Sequence, residues 1–260
     1  MVEPLYIIKI SGNIIDDEQR LDSFLQQFAL LQGKKILIHG GGKLATKMAD
    51  QLNIPQQMID GRRITDADTL RIVTMVYAGY INKNIVAKLQ QYGSNAIGLT
   101  GADGNCILAH KRQHASIDYG YVGDIDTVNK TLLYQLLEQN ATIVLAPITH
   151  DGNGQLLNTN ADTIAQEIAK ALSSLYQTIL IYSFEKKGVL LDINDESSVI
   201  TSLSKESYQL LKSEEKIFAG MIPKLDNAFA AIDAGVGKVI IGQAEELALL
   251  VNESSGTTIQ

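Results

Sequence analysis

Residues 34–43, KKILIHGGGK, constrain the chain more than any other stretch. Ile36, Leu37 and Ile38 form an apolar run that reads as a buried strand ending at His39. Three consecutive glycines follow, Gly40 to Gly42, and then a helical pattern with Leu44, Met48 and Leu52 on one face. Glycine takes backbone dihedrals that other residues avoid and lets a ligand come close to the main chain. A glycine-rich turn that opens a helix presents unpaired N–H groups at the positive end of the helix dipole, where anions bind. A tight turn without a ligand is satisfied by a single glycine, so three in a row point to an anion cradle. Neither common phosphate fingerprint is present: Lys43 is followed by Leu44, and the G-x-G-x-x-G spacing is missing.

Upstream, LYIIKI (5–10) reads as a strand that is apolar except for Lys9. Such a lysine either snorkels at a sheet edge or points into a site beyond the strand's end. A second glycine-containing turn, Ser11-Gly12-Asn13, comes next, and residues 16–32 read as an amphipathic helix returning to the strand at 35–38. This is a βαβ unit, which builds a parallel sheet with a right-handed crossover. Ligands of open α/β sheets sit beyond the carboxyl ends of the strands. If the two strands are neighbours, Lys9, Gly12 and the three glycines share that edge.

The segment DGRRITDADT (60–69) is a polar loop with adjacent arginines, and Thr65 is a candidate cap for a long helix from about Asp66 to Tyr92. A strand at 94–99, a hairpin from 105–112 and 117–126, a helix at 129–140 and an apolar strand at 142–148 continue the α/β rhythm. In NTNAD (158–162), Asn158 or Asn160 can cap the next helix and Asp162 can sit in its first turn. A strand at 177–183, helices near 204–214 and 223–233, a strand at 238–241 and a short helix complete the pattern. Lys224 follows Pro223 at a helix start, where a cation opposes the dipole. A local rule broken in this way tends to mark function.

The totals exclude several classes. A net charge of −7 over 260 residues argues against nonspecific nucleic-acid binding, which needs a basic footprint. The single cysteine, Cys106, excludes an intrachain disulfide and fits a cytoplasmic location. No apolar run approaches the ~20 residues that span a bilayer, and the opening MVEPLYIIKI does not read as a signal peptide. The histidines lack zinc-site spacing, and His110 and His114 read as solvated.

With these pieces in register, the chain resembles the acetylglutamate kinases of the amino-acid kinase superfamily. The resemblance rests on Lys9 in IIKISG, HGGG (39–42), GRRIT (61–65), NKNIVAKL (82–89) and GLTGADGN (98–105). It continues through DYGYVGDI (118–125), APITHDGNGQ (146–155), NTNAD (158–162) and GMIPK (220–224). It implies an α/β fold, a three-layer αβα sandwich around a mostly parallel central sheet. It also implies one domain over 1–260, with an acyl-amino-acid-binding half (about 1–175) and a nucleotide-binding half (about 176–260). The implied activity is phosphorylation by ATP of the side-chain carboxylate of an N-acylated glutamate, a step of arginine biosynthesis. Lys9 and Lys224 would then stabilise negative charge on the transferring phosphoryl group, with Asp162 holding both. Gly41 and Gly42 would contact acyl-amino acid and phosphoryl oxygens, with Gly12 on the nucleotide side. Arg63 and Asn158 would grip the substrate's α-carboxylate and amide. Mg²⁺ would arrive with ATP, held mostly by phosphates. The expected partners are these small molecules and a second copy of the chain, in a homodimer formed through the long helix.

Three departures qualify the resemblance. Relatives have two glycines after the first strand, where this chain has Ser11-Gly12. The segment YSFEKKGVL (182–190) lacks the aspartate usual in T-D-V-x-G-V-L and is one residue longer. Lys9 also comes too early for the N-terminal helix of arginine-inhibited members, so no arginine feedback is expected. The alternatives are an N-acyl group such as succinyl, a sister kinase acting on free glutamate, aspartate or carbamate, and a noncatalytic amino-acid-sensing regulator. A nicotinamide-dependent Rossmann enzyme is disfavoured by its missing glycine spacing.

Overall fold

The computed structural model describes residues 3–59, 62–192, 194–217 and 221–260. Gly61 and Gly220, which open two of the stretches quoted above, lie outside them. The expected βαβ unit opens the fold as β1 (Pro4–Ile10), α1 (Gly12–Ile15), α2 (Glu18–Leu30) and β2 (Lys34–Ile38), and the two strands pair in parallel. The cradle then leads into α3 (Gly42–Gln51) and a small antiparallel ribbon, β3 (Gln57–Ile59) and β4 (Arg62–Ile64).

The long helical pattern forms one rod in three parts: α4 (Ala67–Thr74), a π-helical stretch over Met75–Ile81, and α5 (Asn82–Gln91). Its cap is Asp66, whose carboxylate accepts from the N–H of Thr69 at 2.7 Å. Thr65, the expected cap, is instead buried in backbone bonds to Tyr119 and Tyr121.

β5 (Ala96–Leu99), β6 (Ile107–Lys111), β7 (Gly123–Val128) and α6 (Lys130–Glu138) follow. The hairpin's second strand therefore starts later than the tyrosine alternation suggests. Pro147 lacks an N–H and splits the apolar run into β8 (Thr142–Leu145) and β9 (Ile148–His150). β10 (Leu156–Asn158) and α7 (Ala161–Leu172) lead to β11 (Gln177–Phe184). The last part adds β12 (Ser202–Leu203), α8 (Lys205–Ser213), α9 (Ile222–Asp233), β13 (Lys238–Gln243), α10 (Leu247–Val251) and β14 (Thr257–Ile259).

Eight strands form one sheet in the order β12-β14-β13-β11-β1-β2-β8-β5. The six from β13 to β5 are mutually parallel, and only β14 and β12 run the other way. Strand parity divides the core. Leu5, Ile7, Ile36, Ile38 and Leu180 face α6, α7 and α9, while Ile8, Ile10, Leu37 and Ile181 face α2, α3, the rod and α10. Each fully buried Ile or Leu contributes about 1.5–3 kcal/mol, and the two clusters make a three-layer sandwich.

The order of connection reverses at β1, with β2 on one side and the late strand β11 on the other. That switch point, at the carboxyl ends of β1 and β11, is where an open α/β sheet leaves a crevice. A second sheet, β10-β9-β6-β7, packs against α4 through β10 and against α7 through β7. No described helix is long and apolar enough to cross a membrane.

Candidate active site

The first candidate side chain is aimed by parity. Leu5 and Ile7 face α7, so Lys9 points the same way. Its Nζ lies 2.8 Å from Oδ1 of Asp162, the two side chains being 12% and 28% exposed. Asp162 occupies the first turn of α7, where the helix dipole favours a carboxylate. Asn160 is the cap: its side-chain oxygen accepts from the N–H groups of Asp162 (2.8 Å) and Thr163 (3.1 Å).

Lys224 enters from the other half of the chain, in the first turn of α9. Its Nζ sits 3.8 Å from the ring centroid of Phe184, the last residue of β11, and the Nζ of Lys9 lies 5.6 Å from the same ring. Burial, reinforced by the charge of Lys9, holds the Lys224 ammonium below its ordinary range, against the opposing pull of Asp162 and Glu185. The electron-rich aromatic face attracts both cations. The sequence does not single out Phe184, although the 182–190 segment that carries it is the one that departs from the relatives' pattern.

The cradle is built from below. His39 is fully buried, and burial holds its imidazole near 4, so the ring is neutral at physiological pH. Gly41 precedes α3 with φ +147°, a conformation that disfavours a Cβ. A Cβ there would run into the Ile81 side chain and lie 3.1 Å from the Tyr77 ring. The π-helical turn brings both residues against the loop. Gly12, which opens α1, is the opposite case: a Cβ would meet nothing within 4 Å.

Gly40, Gly41 and Gly42 form one wall of a cavity of about 230 Å³, with Arg62, Arg63, Tyr77, Arg112 and Asn158 on other walls. Arg63 is largely buried: Nη2 donates to the Gly42 carbonyl (2.8 Å) and Thr46 Oγ1 (2.9 Å), and Nη1 donates to Gln56. Asn158 donates from Nδ2 to Thr65 Oγ1 at 3.0 Å, and its backbone N–H donates to the Tyr121 carbonyl at 2.8 Å.

The named residues thus fall into two groups. Gly41, Gly42, Arg63 and Asn158 share the cavity, whereas Lys9, Asp162 and Lys224 gather round Phe184. The N-terminus of α7 joins them, since Asn160 and Ala161 line the cavity and Asp162 is the next residue. Gly12 lines neither; it stands three residues beyond Lys9 at the end of β1.

Comparison with known proteins places the chain in a family. The model of the amino acid kinase family matches residues 4–243. The chain belongs to that family. It is 58% identical over 254 residues to an acetylglutamate kinase of Cytophaga hutchinsonii, covering 97% of this chain and 96% of that one. The acetylglutamate kinase of Bacteroides fragilis is 52% identical, covering 100% of this chain and 98% of its own. A solved N-acetylglutamate synthase from Neisseria gonorrhoeae has a TM-score of 0.83 at 21% identity, over 99% of this chain and 59% of that one, a likeness of fold. The α/β reading, with its large mostly parallel sheet, is the fold of this family.

Proposed function

We propose that the chain transfers the γ-phosphoryl group of ATP to the γ-carboxylate of N-acetyl-L-glutamate, giving an acyl phosphate on the arginine pathway. The observation that carries this reading is the convergence of Lys9 and Lys224, from opposite halves of the chain, on one ring beside Asp162. A carboxylate is already a nucleophile, so no general base is needed. Its oxygen bonds to the γ-phosphorus as the bond to the departing ADP oxygen breaks. What the protein supplies is in-line placement and positive charge round the phosphoryl oxygens. Lys9 and Lys224 provide that charge, and Asp162 keeps the two cations from separating. The Gly41 and Gly42 N–H groups bind oxygens between the two clusters, and Gly12 admits the nucleotide phosphates. Ser11 and Ser183 support this side, because their buried hydroxyls have no hydrogen-bond partner among the described residues. The free donors of Arg63, with Asn158, hold the α-carboxylate and amide.

Mg²⁺ would arrive with ATP and be held mostly by its phosphates, whose charge it would offset. The acyl-amino-acid half spans about 1–175 and the nucleotide half about 176–260, and the cytoplasmic enzyme works as a homodimer through the α4–α5 rod.

Arg62 favours a second reading, an N-acyl group with its own carboxylate such as succinyl. Arg62 is exposed on the cavity wall without an ion-pair partner among the described residues, whereas Arg112 is paired with Asp124. The test is an ATP- and Mg²⁺-dependent assay trapping acyl phosphate as hydroxamate from N-acetylglutamate, N-succinylglutamate, glutamate and aspartate. A signal confined to acetylglutamate supports the first reading, and one confined to succinylglutamate the second. Signal from a free amino acid alone would overturn both, as would near-normal turnover in Lys9→Ala and Lys224→Ala.

A further inference from the structure

His39 lies beneath the glycine cradle, has no exposure to solvent, and has no role in the reaction described above. Its neighbours determine which ring nitrogen carries the proton. Asn82 Nδ2 lies 3.1 Å from the Val144 carbonyl and 3.2 Å from His39 Nε2, while Asn82 Oδ1 accepts from Lys83 Nζ at 3.1 Å. A carbonyl and an ammonium leave no freedom in the amide: its NH₂ must face Val144 and its oxygen Lys83. Lys83 is itself held by the Gly98 carbonyl at 2.7 Å. His39 Nε2 therefore accepts, Nδ1 carries the hydrogen, and Nδ1 donates to the Gly40 carbonyl at 2.8 Å. That carbonyl shares a planar trans peptide with the N–H of Gly41, and the two point in opposite directions. Tying the oxygen down toward the buried ring turns the Gly41 N–H away from it.

We infer that His39 is a positioning residue: through the Gly40 carbonyl it aims the Gly41 N–H at the phosphoryl and carboxylate oxygens, and the Asn82–Lys83–Gly98 chain holds it in the tautomer this requires. The inference rests on the phosphotransfer reading, in which that N–H touches the reacting groups. It also gives the π-helical turn a task, since the rod must deliver Ile81 to Gly41 and the adjacent Asn82 to His39.

Two variants separate the ring nitrogens. His39→Asn places its amide NH₂ where Nδ1 was and keeps the bond to Gly40. His39→Gln reaches the Nε2 position, keeps the bond from Asn82 and loses the one to Gly40. Both disturb the same buried site, so a merely structural role lowers melting temperature and activity together in both. The positioning role makes them differ: His39→Asn keeps kcat within about threefold, and His39→Gln loses roughly thirtyfold or more in kcat at similar KM. Equal losses in kcat, scaling with thermal stability, overturn the inference. The ¹⁵N imidazole spectrum of the parental protein gives a second reading that does not depend on turnover. A proton on Nδ1 supports the inference, and a proton on Nε2 overturns it. Absence of hydroxamate from the parental protein with every acylglutamate would sink the phosphotransfer reading instead, and the spectrum tells the two failures apart.

Discussion

Two glycines at the ends of neighbouring strands are predicted to respond oppositely to the same added methyl group. At Gly41 the methyl enters the Ile81 side chain and comes within 3.1–3.2 Å of the Tyr77 ring, and both neighbours are almost wholly buried. Overpacking of this kind costs about 1–3 kcal/mol. The backbone there sits at φ +147°, which adds about 1–3 kcal/mol of strain for a residue with a Cβ. Gly41→Ala should therefore lose about 2–6 kcal/mol, a fall in melting temperature of roughly 4–24 °C for a chain of this size. Gly12→Ala meets no atom within 4 Å and no strained φ. Alanine is also the better helix former by about 1 kcal/mol, so thermal stability should hold or rise slightly. If the open space at Gly12 takes nucleotide phosphate, the methyl group raises KM for ATP about tenfold or more, with folding intact. The assays are urea or thermal unfolding by circular dichroism and hydroxamate kinetics at varied ATP. A Gly41→Ala protein within about 0.5 kcal/mol of the parent would refute the reasoning, because the loop would then be free to re-form around the intruding methyl. Unchanged ATP kinetics in Gly12→Ala would remove Gly12 from the nucleotide side.

Further outcomes follow from the same contacts. Phe184→Leu keeps the apolar bulk but removes the ring face worth about 0.5–2 kcal/mol to a cation; kcat should fall severalfold and be restored by Phe184→Tyr, and an unaffected leucine variant would remove the platform role. Asp162→Asn removes a charge that raises the Lys224 pKa against burial, so the alkaline limb of the kcat–pH profile should move to lower pH, with kcat down roughly tenfold or more; an unmoved limb counts against the pairing. His39 stays neutral in the fold down to about 4, while the unfolded chain takes up its proton near 6.5. The unfolded state thus binds more protons between those values, and acidification from pH 7 to 5 should cost about 2 kcal/mol of stability through this group. His39→Asn should lose that sensitivity, read from urea midpoints at the two pH values. Lys35 is a contrasting lysine: its Nζ donates to the carbonyls of Phe28, Ala29 and Leu31, each at 2.9 Å, closing the end of α2. Lys35→Met should cost about 1–3 kcal/mol of stability while turnover at permissive temperature is kept, the reverse of Lys9→Ala.

The elements rich in local signal were legible from the chain. The β-branched run at Ile36–Ile38, the glycine triplet, and the asparagines and acid at the start of α7 announce themselves over a few residues, because periodicity and capping are short-range effects. Where two local choices were nearly equal, the tertiary structure chose. Thr65 and Asp66 can both cap α4, but the bonds of Thr65 to the 119–121 segment draw it into the interior and leave the cap to Asp66. β12 and β14 are two and three residues long, too short for any pattern; β14 exists because β13 offers it an edge, and β12 because β14 does.

For the site, the sequence by itself determined which residues are candidates for the chemistry. Lys9, Asp162 and Lys224 each sit at a strand end or helix start, and the stretches around them occur in order along the whole chain. Only the tertiary structure decided their company. Strand parity and the switch at β1 bring residue 9 to residue 162 and both to the ring of residue 184, across separations that no local rule spans. The tautomer of His39 was likewise beyond reach, because it is set by Asn82, Lys83, Gly98 and Val144, residues from three elements that meet only when the sheet closes against the rod. Local pattern encodes what a residue can do; long-range packing decides what it faces, since each contact there depends on every strand between being in register.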